Sequence, residues 1–289
     1  MTGAAVKWLR YNDITDTWSQ PQTIQGVTSS AVPAIGDFPS QNQLWCVYPG
    51  DNYVLSWVTY DIDIGWSTPH QHSSLRLSEF DIESYGDELW YLRSTLPEET
   101  GEPIFGASKD ALMWSDEAQI GSGQWKPAVA RAGSYMYSVH LGSTNALQWM
   151  RYDGQSWSPS VNFPSGFPGC GHDPGLAVYK NDPHCAYNAL NGGVPIQWCR
   201  FDGNEWGNLQ DIPNTGTDAR PVLASTYTGK LVCVYTDFYD SATLYWTVFD
   251  GNAWFDKPKR IDSVTDAQPG PSIATFQGTV YCTYLAESA

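Results

Sequence analysis

The sequence predicts an all-β fold, a six-bladed β-propeller of four-stranded antiparallel blades. Three observations carry this expectation. The composition suits aromatic strands joined by turns, a Trp-containing motif recurs about every 48 residues, and the two chain ends each supply part of a blade.

Of the 289 residues only 16% are charged, against the usual ~25%, while 14 Trp, 17 Tyr, 26 Gly and 19 Pro are present. Helical surfaces consume Glu, Lys and Arg; this chain covers itself with small polar residues, as β-rich folds do. Fifteen basic against 31 acidic residues give a formal charge of −16. A phosphate-binding surface needs the opposite surplus, which argues against nucleic-acid partners and anionic membrane surfaces. No apolar run approaches the ~18 residues of a membrane helix. Met1 to Lys7 lack the regions of a secretory signal, so a cytoplasmic location is expected, with any release outside the classical route.

Three segments align without a gap: Leu147-Gln-Trp149-Met-Arg151-Tyr-Asp153-Gly-Gln-Ser-Trp157, Ile196-Gln-Trp198-Cys-Arg200-Phe-Asp202-Gly-Asn-Glu-Trp206 and Leu244-Tyr-Trp246-Thr-Val-Phe-Asp250-Gly-Asn-Ala-Trp254. Two looser copies run from Trp8 to Trp18 and from Trp57 to Trp66, and a degenerate sixth is expected from Leu112-Met-Trp114 to Trp125. The first Trp of each copy then falls at intervals of 49, 57, 35, 49 and 48, a propeller-blade period.

Each unit also carries a second strand: Cys46-Val-Tyr48, Leu89 to Arg93, Tyr135 to Val139, Cys185-Ala-Tyr187, Cys233-Val-Tyr235 and Cys282-Thr-Tyr284. Upstream, Pro33, Pro174, Pro221 and Pro271 introduce an inner strand, where the start of a strand tolerates Pro. The Trp strand is third, a Tyr/Phe-Asp-Gly turn forms the hairpin, and the last Trp opens a fourth. The chain starts in a third strand and ends in a second. Joined, they complete one blade, so residues 1–289 form one propeller closed by its terminal strands. Cys46, Cys185, Cys233 and Cys282 share one slot, which suits buried packing thiols; Cys170 in Gly169-Cys-Gly-His172 lies within possible reach of Cys185.

No Gly-rich phosphate loop, Gly-x-Ser-x-Gly elbow or His-Glu-x-x-His occurs. His70 and His72 share a strand face but have no further ligands at metal spacing. No catalytic residue, cofactor or metal is expected. The Asp-Gly-x-x-Trp turn resembles the Asp box of sialidases, and Arg76, Arg131 and Arg220 near inner-strand starts would supply an arginine cluster. A sialidase-like hydrolase with one central site is therefore an alternative, as is a protein-interaction propeller.

Repetition favours multivalent binding instead. Sugars stack C–H faces on aromatic rings and offer hydroxyls to short polar groups. The expected sites combine Trp57, Trp149, Trp198 and Trp246 with the loops between strands two and three (Asp51, Asn52, Tyr53, His140, Asn145, Asn188, Asn191, Asp237, Tyr239, Asp240). The loops leading to the next blade add His172, Asp173, Asp218, Arg220 and Asp266. Both loop sets lie on one face, so pockets between adjacent blades are expected, and the partners would be glycans or glycoproteins. The unit carrying the long acidic stretch Ser94 to Lys109 is expected to hold no working site, or an altered one.

With six blades of this period, terminal closure and Tyr/Phe-Asp-Gly-x-x-Trp turns, the chain resembles fungal propeller lectins, namely the fucose-binding lectins of Aleuria type and the N-acetylglucosamine-binding propeller lectins of mushrooms. The resemblance implies a non-enzymatic, multivalent lectin in fungal defence. The fucose family carries Arg in its second strand and Glu in its third. Here those positions are Cys46, Cys233 and Cys282, and Trp57, Trp149, Trp198 and Trp246, so the charged grip on fucose is absent.

Overall fold

The computed structural model describes residues 3–96, 99–110, 113–190 and 195–287. The chain enters at β1 (Ala4–Asn12), β2 (Thr17–Trp18) and β3 (Gln22–Ser29). The first complete blade follows as β4 (Ala34–Phe38), β5 (Gln43–Pro49), β6 (Val54–Asp61), β7 (Gly65–Trp66) and β8 (His70–Arg76). The second is β9 (Phe80–Tyr85), β10 (Glu88–Arg93), β11 (Pro103–Lys109) and β12 (Ala118–Ser122). The third is β13 (Gln124–Ala132), β14 (Tyr135–Leu141), β15 (Leu147–Tyr152) and β16 (Val161–Asn162). The fourth is β17 (Gly175–Tyr179), β18 (Asp182–Asn188), β19 (Ile196–Phe201) and β20 (Trp206–Asp211). The fifth is β21 (Val222–Ser225), β22 (Leu231–Asp237), β23 (Asp240–Phe249) and β24 (Lys259–Arg260). The sixth begins with β25 (Ser272–Phe276) and β26 (Thr279–Leu285) and is completed by the start of the chain. Val6 to Tyr11 of β1 pair antiparallel with Leu285 to Val280 of β26, as the terminal closure predicts. All six sheets are antiparallel, with strands in meander order.

In the third, fourth and fifth blades an Asp-Gly turn closes the hairpin between the third and fourth strands through the Asp side chain. Asp153 Oδ1 accepts the amides of Gln155 and Ser156, both at 2.8 Å, and Asp202 and Asp250 repeat the arrangement. The following Gly154, Gly203 and Gly251 sit at φ of 95 to 102°, which residues with a Cβ rarely adopt.

One repeat assignment is corrected. The third strand of the second blade is β11, not the segment after Leu112. Lys109 bridges Trp114 as Tyr152 bridges Trp157 and Phe249 bridges Trp254, and Asp110 Oδ1 accepts the Met113 amide at 2.8 Å. Trp114 is therefore the fourth-strand Trp. The third-strand Trp slot is held by Gly106, opposite Leu92, and the slot then recurs at 8, 57, 106, 149, 198 and 246. Trp125 belongs to the third blade, in its inner strand. The stretch Ser94 to Lys109 is correspondingly a shorter connection followed by a strand.

The core consists of aromatic layers between blades. The third-strand Trp of one blade meets the third-strand Tyr or Phe of the next: Trp8 with Tyr60 at 5.3 Å, Trp149 with Phe201 at 5.0 Å, Trp198 with Phe249 at 5.0 Å and Trp246 with Tyr11 at 5.1 Å between ring centroids. Tilted and edge-on pairs of this kind add ~0.5–1.5 kcal/mol each beyond area burial. All six Cys are free and buried. Cys170 does not bridge Cys185; its thiol donates to the His172 carbonyl. The closest thiol neighbour of Cys185 is instead Cys199, directly across the β18–β19 pair.

Candidate functional site

The third-strand Trp and the residue two positions later share a strand face, pointing toward the next blade. In three blades that second residue is Arg: Trp8 and Arg10, Trp149 and Arg151, Trp198 and Arg200. Opposite the Arg on the second strand stand Tyr281, Tyr137 and His184. At the boundary of the third and fourth blades a cavity of about 410 Å³ is lined by Trp149, Arg151, Ser158, Phe201 and Asn204. At the next boundary one of about 360 Å³ is lined by Asp182, His184, Trp198, Arg200, Asn208 and Gln210. Both include a glycine of the neighbouring Asp-Gly turn, Gly203 or Gly251. They therefore open on the hairpin side of the disc, opposite the loops between strands two and three.

The Trp residues differ in what they offer. Trp198 and Trp246 are each 3% exposed and act as packing. Trp198 donates its Nε1–H to His184 Nδ1 at 3.1 Å, and burial holds the His184 imidazole neutral, its pKa lowered to about 4. Trp149 is only half-buried and stacks on Tyr137. Trp57 lies between Trp45 and His70 in a three-ring stack. Arg10 and Arg200 are exposed and Arg151 is half-buried, with the Arg151 guanidinium 4.5 Å above the Tyr135 ring.

The structure separates the other expected residues. Most of the strand two–three set is structural. Asn52 and Asn145 hold left-handed turn positions at φ 55 and 58°, and Asp51 lies exposed beside Asn52. His140 is not a loop residue. It is a fully buried strand residue whose Nε2 meets Ser160 Oγ at 3.1 Å, and burial lowers its pKa to about 4. Asn188 is likewise buried on β18, donating its side-chain amide to the Thr217 carbonyl. Asp237 caps its own turn at the Tyr239 amide, and Asp240 faces Arg260 at 3.8 Å. Asn191 lies outside the described residues. Asp266 joins the closing blade by accepting from Lys7 Nζ and the Tyr284 hydroxyl.

The loops entering the inner strands do converge, but on the centre of the disc rather than between blades. His172, Asp173, Asp218 and Arg220 meet Trp125, Lys126 and Glu79 around one cup of about 390 Å³. Below it the six inner strands line a narrow channel carrying Asp37, Glu83 and Arg131. Arg76 is on the outer strand β8, while Arg220 precedes β21 and Arg131 is the penultimate residue of β13. The three arginines therefore form no cluster. Sequence reasoning missed the Trp-x-Arg pairs as a site, although their i, i+2 spacing was the available signal.

No family model matches the chain, and no curated protein does. Among solved structures, AofleA from Arthrobotrys oligospora superposes with a TM-score of 0.66 at 13% identity, over 99% of this chain and 84% of that one. The fucose-specific lectin from Aleuria aurantia gives 0.64 at 14% identity, over 88% and 87%. A lectin from Burkholderia pseudomallei gives 0.67 at 14% identity, over 94% and 83%. The Aleuria aurantia lectin is a six-bladed β-propeller, and at these identities the likeness is one of fold: the chain is a six-bladed propeller of the architecture seen in these lectins.

Proposed function

We propose that the protein is a multivalent, non-catalytic carbohydrate-binding protein whose sites are the Trp-x-Arg pockets between blades. The observation that carries this reading is the pairing of Arg151 with the half-buried Trp149 in an open cavity whose far wall, Phe201 and Asn204, comes from the next blade. An aromatic surface takes the C–H face of a pyranose. The guanidinium fork and the amide take its hydroxyls. Arg200 with His184, Asn208 and Gln210 repeats the polar part of this chemistry at the next boundary, and Arg10 beside Trp8 repeats the Trp-x-Arg pair in the sixth blade, the indoles of Trp198 and Trp8 being buried as packing. Repeated weak sites gain avidity where a ligand spans them. Lectins among the similar folds, one of them named as fucose-specific, support the class of ligand. The guanidinium here stands on the third strand.

The test is a glycan array probed with labelled protein, with and without EDTA, beside an Arg10→Ala/Arg151→Ala/Arg200→Ala variant. Binding to one terminal sugar, insensitive to EDTA and abolished in the variant, is the expected result. Binding unchanged in the variant would sink the assignment of these pockets. A blank array would turn attention to protein partners.

A further inference from the structure

The central cup carries chemistry that the inter-blade pockets do not. Its rim holds Trp125, an indole 45% exposed on a backbone with φ of 62°. A bulky residue in the left-handed region is a genuine outlier, and such strain persists where surrounding structure enforces it. His172 meets the Trp125 ring edge-on at 6.0 Å. The cup's walls hold two buried cations, Lys126 at 4% and Arg220 at 6% exposure. Arg220 spends Nη2 on Asp81 at 2.6 Å and Nε on the Pro174 carbonyl at 2.9 Å. Its Nη1 is buried without any partner, although a buried N–H left unpaired costs ~1–3 kcal/mol. Asp173 accepts the Lys126 backbone amide through Oδ1 at 2.9 Å.

The charge pattern selects the ligand. Arg220 is already neutralised by Asp81, and Lys126 is flanked by Asp173 and Glu79, which disfavours an incoming anion. The two cations in turn disfavour a metal or an amine. What remains is a neutral ring whose hydroxyls both donate and accept, with a C–H face for an exposed indole. The volume falls within the ~300–1,000 Å³ of small-ligand sites.

We infer that the cup is a separate, single binding site for a neutral pyranose, stacked on Trp125 with its hydroxyls between Arg220 and Asp173. It is present once per molecule and does not depend on the inter-blade pockets.

Indole ¹⁵N–¹H spectra test this, with the Trp125 signal assigned by its loss in Trp125→Phe. The probes are methyl glycosides of fucose, mannose, galactose and N-acetylglucosamine, with N-acetylneuraminic acid as the anionic control. One neutral glycoside is expected to shift the Trp125 signal with a dissociation constant on the order of 1 mM. The shift should persist in the Arg10→Ala/Arg151→Ala/Arg200→Ala variant, so that loss of the inter-blade sites and loss of the cup are read separately. Asp173→Asn, which keeps the shape of the cup, should weaken it by about tenfold or more. No response from any neutral glycoside up to about 0.1 M, equal affinity in Asp173→Asn, or a response to the anionic sugar alone would each overturn the inference.

Discussion

The Arg93 guanidinium grips Glu117 in a bidentate fork, Nε donating to one carboxylate oxygen at 2.6 Å and Nη2 to the other at 2.7 Å. Two further donations reach Glu99, in the connection between β10 and β11, at 2.8 and 2.9 Å, and Nη1 also donates to the Ser94 carbonyl at 2.9 Å. The Arg93 side chain is 3% exposed, so this pair is the polar anchor of the blade that lacks a third-strand Trp. Losing Glu117 would leave the buried guanidinium with Glu99 alone and the Tyr91 hydroxyl without its acceptor, and under-compensated buried charge is costly. Glu117→Ala should lower stability by about 3 kcal/mol, while Arg93→Met with Glu117→Leu should recover most of that loss. Urea unfolding of both variants decides it.

Packing and recognition separate within three residues of β19. Trp198→Ala removes a buried indole between blades and should cost about 3–5 kcal/mol. Arg200→Ala acts on an exposed head group and should leave stability within about 0.5 kcal/mol, yet weaken glycan binding at the boundary of the fourth and fifth blades. Thermal unfolding and glycan titration of the two variants should move in opposite measure.

Occupancy around the ring should be uneven. Gly106 leaves the second blade without its Trp, and Trp90 covers Tyr152 of the third blade instead at 5.0 Å. A crystal soaked with the sugar found on the array should show it at the two boundaries flanking the fourth blade and beside Arg10 of the sixth, and not between the second and third. Density at the latter would mean that the Trp slot is irrelevant to binding.

The pH profile should have a maximum near pH 6.5. His140 and His184 take a proton in the fold only near pH 4 because burial opposes charge, whereas the unfolded chain protonates them near ~6.5. Between those values the unfolded state binds more protons, so stability falls as pH drops, by about 3 kcal/mol for each His. Glu83 acts with the opposite sign. Burial and the neighbouring Asp37 push it up to about 8, so the fold keeps a proton that the unfolded chain releases near ~4.5, and stability falls as pH rises through that window. Glu83→Gln should flatten the alkaline limb and steepen the acid limb, where Glu83 opposes the two His, read by denaturant midpoints from pH 4 to 9.

All six thiols are buried, and burial raises the pKa of Cys46, Cys170, Cys233 and Cys282. A thiol-reactive dye should therefore label none of them in the native protein and all six after unfolding.

Much of this architecture was legible in the sequence because a propeller repeats the same physical problem six times. A Trp facing the next blade, an Asp that caps its own hairpin and a glycine at positive φ recur at fixed spacing. The second blade was misread because both landmarks change there at once: Gly106 replaces the Trp, and Ala111 stands where the turn glycine is expected. Asp110 and Trp114 keep the four-residue spacing that would have restored the register. The site was less legible. Polar residues near a loop look alike in sequence whether they are solvated, like Asp51, or sealed in a strand, like His140. Convergence of His172, Asp173 and Arg220 on the disc centre depends on the ring closure, which no local pattern encodes.

The pairing of β1 with β26 makes the ring indifferent to where its covalent backbone is interrupted. The blade that holds both ends has the same strand order as the five that hold none. Joining the ends by a short linker and opening an exposed hairpin, such as the one at Asp153, would move the break without removing a strand from any blade. Such circular permutants would shift which segments are neighbours in the unfolded chain, and with them the order of assembly, while the finished ring stayed the same.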